Sequence, residues 1–359
     1  MKEYMPKKSN ASLSIRYALM SMALMTVCYT TIKDHLADTV SADRISMLLI
    51  TFNVISVGFG VIASVVADKL SDKHTGVRLA VLLALTGYML PVKFGIDIKV
   101  VLMGLGSAIF YAFASSSIYA KVKDKGQGVG LLIGGSIAGI AFASFAGFIG
   151  HLFAPLLMIC ASPADRCESR PVEEKPSEKP KNSYIALPFL MLAYTLLFFL
   201  FSSFNFDWNT FFKTNVKMLL VIAAGRAAGG FLSGLIDRAT VIFASVCIGG
   251  LILFTSSESR MMSFIGLFVL SAALAPLLLS AKDKLPSAPA LSYALMGVAA
   301  YFGQVMSFTV EYKPSMILMC CAAVIIIAIW TDDFKLVGSI MKKVKTAKDD
   351  TVRKAGKKR

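Results

Sequence analysis

Arg226 lies inside an apolar segment, where a charged side chain needs a binding partner. It stands nine residues after Lys217 and eleven before Asp237, in the stretch KMLLVIAAGRAAGGFLSGLID. A guanidinium stays protonated in proteins and presents N–H donors in a planar fork that matches a carboxylate or a phosphate. The residue type and its position therefore predict an anion-binding site. The alternative is a structural arginine bonded to helix carbonyls or to Asp34.

Two segments carry matching residue types at the same spacing of four, four and one. They are Gly60, Ser64, Asp68 and Lys69 in the first and Gly229, Ser233, Asp237 and Arg238 in the second. Small residues four positions apart form one stripe on a helix, which lets a neighbouring backbone approach closely. The acid at the helix end can accept hydrogen bonds from the amino terminus of a nearby helix. We expect each segment to act as a conformational latch. The alternative is that the small residues pack and the charges anchor helix ends.

Twelve apolar segments near the length of a membrane-crossing helix must position these residues. Of the 359 residues, 56% are hydrophobic and 16% are charged, with a mean hydropathy of +0.68, which indicates a membrane protein. The predicted spans are residues 14–33, 45–67, 76–95, 98–120, 127–146, 147–162, 184–204, 217–237, 239–256, 260–281, 286–309 and 314–332. The sixth span is short, and one long tilted helix over residues 127–162 is the alternative.

The distribution of basic residues sets the orientation. Most of the 37 Lys and Arg residues fall on one side of the membrane if the amino terminus is cytoplasmic, as the positive-inside rule requires. We therefore expect a multi-pass protein of the plasma (inner) membrane with both termini cytoplasmic. The net charge of +15 fits a cytoplasmic face near anionic lipid better than a nucleic-acid partner, because the basic residues lie in short loops and a tail.

A change of composition divides the chain into two apolar halves. Pro, Glu and Lys dominate residues 162–183, which we interpret as a cytoplasmic linker between six-helix bundles at 1–161 and 184–333. Residues 334–359 form a basic cytoplasmic tail in which apolar residues recur at helical spacing among lysines. We expect this tail to bind anionic membrane lipid, with a disordered basic tail as the alternative.

The number of spans, the central linker and the loop residues resemble the major facilitator superfamily. Between helices 2 and 3 that family carries a Gly, three residues, an Asp, then Arg or Lys and further basic residues, echoed between helices 8 and 9. Asp68, Lys69, Lys73 and Arg78 match this pattern, with Ser64 at the usual Gly position. The resemblance implies an all-α fold of twelve transmembrane helices in two six-helix pseudo-repeats. It also implies transport by alternating access around a site between the repeats.

Two further resemblances concern the substrate. The Gly225–Arg226 pair is similar to that of the oxalate/formate exchangers and monocarboxylate carriers, in which the arginine contacts the substrate. We therefore expect a secondary active transporter of a small organic anion. The segment GLGSAIFYAFASSSIYA resembles exporters of the fosmidomycin-resistance type, so efflux of lipophilic compounds is the alternative. A non-transporting membrane helper protein is a second alternative.

Polar residues within the spans are candidate substrate contacts, because the resemblance places helices 1, 4, 7 and 10 around the cavity and helices 2, 5, 8 and 11 at its sides. The candidates are Arg226, Tyr29, Asn53, Tyr111, Ser115, Tyr301 and Gln304. Tyr194 and Tyr293 are further polar residues within spans. Asp34 and Glu311 are candidates for coupling transport to protons, with solvated helix-end carboxylates as the alternative.

The sequence predicts neither an enzyme nor a metal site. His35, His74 and His151 fall in separate loops or helix ends without a ligand partner at helical spacing, and we find no phosphate-binding loop or nucleophile motif. We expect no catalytic residue and no cofactor. The expected partners are a small-molecule substrate and anionic lipid, with no nucleic acid, and the expected state is a monomer.

Overall fold

The computed structural model describes residues 11–37, 41–145, 148–161, 183–203, 216–255, 259–310 and 313–331. Within these ranges the chain forms helices and no strand. The α-helices are α1 (Ala11–Ala37), α2 (Ala42–Lys69), α3 (Lys73–Met89), α4 (Ile96–Lys121), α5 (Lys125–Ala143), α6 (Phe148–Ala161), α7 (Ser183–Ser203), α8 (Val216–Leu235), α9 (Arg238–Thr255), α10 (Arg260–Ser271), α11 (Leu274–Lys284), α12 (Pro289–Thr309) and α13 (Ser315–Thr331). A single 3-10 turn (Val92–Phe94) precedes α4.

Nine helical runs in the described residues are long and apolar enough to cross a membrane. The remaining helices α3, α6 and α13 are 17, 14 and 17 residues long. The prediction of an all-helical, multi-pass membrane protein is therefore confirmed. The number twelve and the arrangement as two repeats stay predictions.

Helices α5 and α6 are separate elements, because α5 ends at Ala143 and α6 begins at Phe148. This excludes the single long helix over residues 127–162. The predictions for the linker at 162–183 lie outside the described residues except for Ser183, and those for the tail at 334–359 and for Glu311 lie outside them entirely. Asp34 is in α1, but its side chain is not among those described.

The tenth predicted span is broken into α10 and α11. Pro276 lies in the first turn of α11 and has no N–H to donate to the carbonyl of Ala272 four residues earlier. Before the break, the N–H groups of Ala272 and Ala273 donate to the carbonyls three residues earlier, those of Val269 and Leu270, over 3.1 and 3.2 Å. The carbonyl left by this break lies against Gly229 of α8, where a side chain would collide with it. The break therefore fixes how closely α8 packs on the tenth span.

The helices of each predicted half pack mainly on one another. In the first half α1 packs on α5 and α6, and α4 packs on α2 and α3. In the second half α7 packs on α12 and α13, and α10 packs on α8 and α9. The halves meet through α5 with α8 and through α12 with α2 and α4. We name the α5–α8 contact and the α2–α12 contact the two seams between the halves.

Candidate functional site

Arg226 is buried in α8, with 5% of its surface exposed. Its Nε has no hydrogen-bond partner, and the guanidinium makes no ion pair with any side chain in the described part of the chain. The guanidinium carbon lies 5.1 Å from the ring centroid of Phe198 of α7, which is the geometry of a cation–π contact. That contact offsets only part of the cost of burying a charge. The site therefore has an unmet requirement for a hydrogen-bond acceptor, and an anion would meet it best.

Three tyrosines lie within electrostatic range of the guanidinium, namely Tyr111, Tyr194 and Tyr293. The rings of Tyr111 on α4 and Tyr293 on α12 are stacked, with centroids 6.4 Å apart and planes 16° from parallel. Because α4 belongs to the first half and α12 to the second, this stack joins the two halves beside Arg226. A ligand at the guanidinium would lie between the halves.

Helix α1 orients Tyr111 through Ser21. The Ser21 hydroxyl donates to the carbonyl of Leu132 over 3.0 Å, so the Tyr111 hydroxyl, 2.8 Å away, donates to Ser21 Oγ. A similar bond of 3.0 Å runs from Tyr17 to Ser117. The phenol oxygen of Tyr111 thus has its proton engaged, while its ring faces Tyr293. This leaves the guanidinium as the strongest hydrogen-bond donor in the cluster.

The contacts described for the other predicted site residues do not include Arg226. Tyr29 donates to Asn53 Oδ1 over 3.4 Å, which joins α1 to α2 within the first half. Ser115 is fully buried and donates to the Ala112 carbonyl of its own helix. Tyr301 and Gln304 are partly buried on α12. Of the predicted set, the structure places Tyr111 within electrostatic range of Arg226, and the substrate-binding roles of all of them stay predictions.

Phe198 was missed by the sequence analysis, although it makes the closest described contact with the guanidinium. It lies in the run YTLLFFLF, which contains three phenylalanines, and nothing in the sequence shows which of them contacts a charged residue. Tyr194 is one helical turn before it, and the two rings are 5.0 Å apart. An aromatic residue four positions after a tyrosine in a span, opposite a helix that carries an arginine, is the signal that could have indicated it.

Asp68 forms a contact between the halves at the end of the α2–α12 seam. Its carboxylate accepts hydrogen bonds from the backbone N–H groups of Ala290 and Leu291, each over 3.0 Å. The N-cap position of α12 is Ala288, whose side chain cannot cap. Asp68 of the first half therefore caps α12 of the second half, and the helix dipole favours its negative charge. We call this contact between the halves the trans cap, and a cap made within one half a cap in cis. Lys73 stands beside Asp68 and donates to the carbonyls of Ala67 and Leu70.

The second copy of the motif makes different contacts. Helix α8 ends at Leu235, so Asp237 lies beyond it and accepts a hydrogen bond of 3.4 Å from the backbone of Thr240, as the N-cap of α9. Arg238 pairs with Asp283 of α11 in the same half. In this conformation the contacts described for Asp237 and Arg238 thus lie within the second half.

The remaining predicted latch residues, Lys69 and Arg78, are exposed. In the described structure neither makes a hydrogen bond or ion pair with Asp68.

Glycines bring the helices of the α5–α8 seam into direct backbone contact. A Cβ atom at Gly130 would lie 2.7 Å from the Cα of Gly230, and one at Gly134 would lie 2.8 Å from the Ala223 carbonyl oxygen. Further along, Ala141 and Leu219 are buried together. The contact therefore continues along most of α5.

The α2–α12 seam contains open space. A Cβ atom added at Gly60 of α2 or at Gly297 of α12 would meet nothing within 4 Å. Gly60 is eight residues from Asp68 and Gly297 is seven from Ala290, so both lie about 10–12 Å along their helices from the cap. Of the most apolar stretches of α2 and α12, only 22% and 28% of the residues are buried, against 44% or more in the other seven candidate spans. The two helices of this seam are therefore joined by the hydrogen bonds of Asp68 at one end, and there is free space beside Gly60 and Gly297 farther along.

No protein-family model matches the chain, and no curated protein matches it in sequence. Its structure is similar to that of the major facilitator superfamily transporter FucP in the outward conformation, with a TM-score of 0.60 at 13% identity over 88% of this chain and 98% of that chain. It is also similar to the human organic anion transporter MFSD10 (TETRAN), with a TM-score of 0.60 at 12% identity over 91% of this chain and 100% of that chain. At these identities the likeness concerns the fold. The chain therefore has the fold of these transporters, which is the fold that the sequence predicted.

Proposed function

We propose that this protein is a secondary active transporter that carries a small organic anion across the membrane by alternating access. The observation that supports the proposal best is Arg226, a buried guanidinium between two helical halves, with no ion pair in the described residues and with Nε lacking a partner. Because no acidic side chain in the described residues pairs with this guanidinium, the carboxylate of a substrate can bind it and supply the missing hydrogen-bond acceptors.

Alternating access requires that a ligand contact both halves and that one end of the molecule close while the other opens. Tyr111 of the first half and Tyr293 of the second flank Arg226, so an anion there contacts both. The trans cap of α12 by Asp68 closes one end and involves two hydrogen bonds that can be broken and remade. We assign Asp68 the role of a latch for this reason.

The remaining features of the proposal follow the sequence predictions. The protein works in the plasma (inner) membrane with both termini in the cytoplasm, as a monomer, with its basic tail near anionic lipid. Asp34 and Glu311 are the candidates for proton coupling. The similarity to a human organic anion transporter supports the choice of an anion as substrate.

The test is transport by the purified full-length protein in proteoliposomes, with a panel of radiolabelled carboxylates. Arg226→Ala is expected to reduce uptake or exchange by at least about 100-fold. This corresponds to the loss of a charge-assisted hydrogen bond worth roughly 3 kcal/mol. Arg44→Ala is the matched control, because Arg44 is exposed in the first turn of α2 and pairs with Asp97 in the first turn of α4. Normal transport by a correctly inserted Arg226→Ala variant would contradict the proposal that Arg226 binds the transported anion.

Efflux of lipophilic compounds is the second candidate function. The aromatic side chains around the site, with Phe198 and three tyrosines, favour apolar ligands as well as anions. Resistance of cells that express the protein to a panel of neutral lipophilic compounds distinguishes the two. If resistance persists in Arg226→Ala, efflux is favoured over anion transport.

A further inference from the structure

We propose that the transported anion is amphipathic, a carboxylate with an apolar tail whose head binds Arg226 and whose tail lies in the open part of the α2–α12 seam. This inference rests on the proposed function and names the chemical class of the substrate. It also gives the direction from which the tail reaches the site, which is the lipid between α2 and α12.

The surroundings of Arg226 suit a ligand with one charged end. The side chains described near the guanidinium include the ring of Phe198 at 5.1 Å and three tyrosines within electrostatic range. A small anion with charge at both ends would lose its hydration and gain only one guanidinium in return. An anion whose remaining surface is apolar has no second charge to desolvate, and its tail packs against the aromatic rings.

The open part of the seam has uncharged walls. By the helical period, the positions of α2 that share the face of Asp68 and those of α12 that share the face of Tyr293 line the seam. They are Asn53, Val57, Gly60 and Ser64 on α2 and Tyr293, Gly297, Ala300 and Gln304 on α12. None is ionisable except Tyr293, which is already part of the cluster at Arg226. An alkyl or aryl tail therefore meets no charge on its way to the site.

The two seams differ in their room for a tail. In the α5–α8 seam, backbone lies against backbone at Gly130 and Gly230. In the α2–α12 seam, the space beside Gly60 and Gly297 is free, and the neighbouring side chains Phe59, Ile62 and Phe302 are exposed and apolar, as lipid-facing residues are. Of the two seams, only α2–α12 can take an apolar chain without separating the helices.

The experiment compares butanoate with octanoate, which differ by four methylene groups. Equilibrium binding of each radiolabelled probe is measured on the full-length protein in lipid nanodiscs, at matched free aqueous concentration. Full burial of a methylene strengthens binding by up to about fourfold. We expect octanoate to bind at least about tenfold more tightly than butanoate, which corresponds to partial burial of the added chain.

Filling the seam should remove this difference. Gly60→Leu and Gly297→Leu add a side chain where nothing lies within 4 Å, so they should weaken octanoate binding about tenfold or more and change butanoate binding less than twofold. Gly58→Leu is the matched control, because Gly58 is on the same helix, is exposed, and also has nothing within 4 Å of an added Cβ. Gly58→Leu should keep the ratio of octanoate affinity to butanoate affinity that the wild-type protein has. Partition of octanoate into the nanodisc is common to all variants and cancels in the comparison.

The outcomes separate the two proposals. Equal affinity of the wild-type protein for both probes, or equal damage by Gly58→Leu and Gly60→Leu, would overturn the tail proposal and leave the anion site in place. Unchanged binding of both probes by Arg226→Ala would overturn the anion site itself. Loss of the chain-length preference in Gly60→Leu and Gly297→Leu, with Arg226→Ala losing both probes, would support both.

Discussion

The α5–α8 seam places backbone against backbone at Gly130 and Gly230 and continues to Ala141 and Leu219, whereas the α2–α12 seam is joined at one end by a carboxylate on two N–H groups. Separating the first seam would lose many van der Waals contacts at once. Separating the second breaks two charge-assisted hydrogen bonds, each with a net value of about 1.5–3 kcal/mol. If the halves move as the proposed function requires, this comparison predicts that α5–α8 serves as the axis and α2–α12 as the side that opens.

Helix capping gives the physical reason for this asymmetry. Helix α5 carries its own N-cap, since Asp124 accepts from the N–H of Gln127 over 3.0 Å. Helix α12 begins after Ala288, which cannot cap, and its first N–H groups are satisfied by Asp68 from the other half. Because α5 is capped in cis, its amino terminus does not depend on Asp237. The amino terminus of α12 depends on the position of α2.

The largest expected effect distinguishes the two seams by packing. Gly230→Leu places a side chain against Gly126 and Gly130 of α5, where overpacking costs about 1–3 kcal/mol or more. Gly297→Leu in the other seam should stay within about 0.5 kcal/mol of the wild-type protein, because the space is free. Thermal unfolding of both variants in the same detergent measures the difference. Equal stability of the two variants would contradict the description of α5–α8 as the tight seam.

The next effect concerns the trans cap. Asp68→Asn removes the charge that favours the amino terminus of α12, so we expect turnover to fall about tenfold while substrate affinity changes less than twofold. Asp237→Asn is the matched variant in the second copy and should change turnover less than twofold. Transport rates over a range of substrate concentrations separate turnover from affinity. An equal loss in both variants would show that the two copies act alike.

A new cap on α12 should make Asp68 less important. Ala288→Asp gives the helix an N-cap of its own, as Asp124 does for α5. In that background we expect Asp68→Asn to change turnover less than threefold. A double-mutant cycle on transport rates measures the coupling between the two positions. Strict additivity would indicate that Asp68 acts through something other than the cap.

The smallest effect concerns the caps that each half makes in cis. Asp72 caps α3 through the N–H groups of His74 and Thr75, as Asp237 caps α9 through Thr240. Replacing either aspartate by alanine should lower stability by about 1 kcal/mol. The Thr75 hydroxyl holds the pKa of Asp72 below its usual value. This contribution is therefore present above the pKa of the unfolded chain, near 3.9, and is lost as the pH falls through the lower pKa of the folded protein.

Unfolding experiments between pH 2 and pH 6 on the wild-type protein and Asp72→Ala test this sign. The stability difference between them should shrink at the acid end. A difference that grows toward low pH would contradict the cap.

Hydrophobic pattern was enough to locate the helices. Eleven of the twelve predicted spans each coincide with one helix, although the third runs six residues past Met89. A run of apolar residues near the thickness of a bilayer has few other solutions. The break in the tenth span was missed, although Pro276 inside the apolar run indicates it. Proline acts on the carbonyl four residues earlier, which a search for apolar runs does not examine.

The candidate site was only partly predictable. Arg226 stands out because a charge in an apolar run is costly, but Phe198 looks like any lipid-facing phenylalanine until the tertiary fold places it under the guanidinium. Whether two tyrosines from different halves stack, as Tyr111 and Tyr293 do, depends on how the halves pack, which no local pattern encodes.

The duplicated motif shows how equal spacing can hide different roles. Asp68 lies within α2, which continues to Lys69, whereas α8 stops at Leu235 before Asp237. The better match to Asp237 is Asp72, since DKHT and DRAT both place a threonine three residues after the aspartate. That pattern is typical of a helix N-cap and was available in the sequence.

The most direct test of the account measures distances across both seams in one experiment. Spin labels at Met47 and Thr309 report the end of the α2–α12 seam far from Asp68, and labels at Phe145 and Lys217 report the corresponding end of the α5–α8 seam. The account predicts that octanoate changes the first distance by several ångströms, leaves the second unchanged, and has no effect on either in Arg226→Ala. Equal changes at both seams, or a change that persists without Arg226, would contradict it.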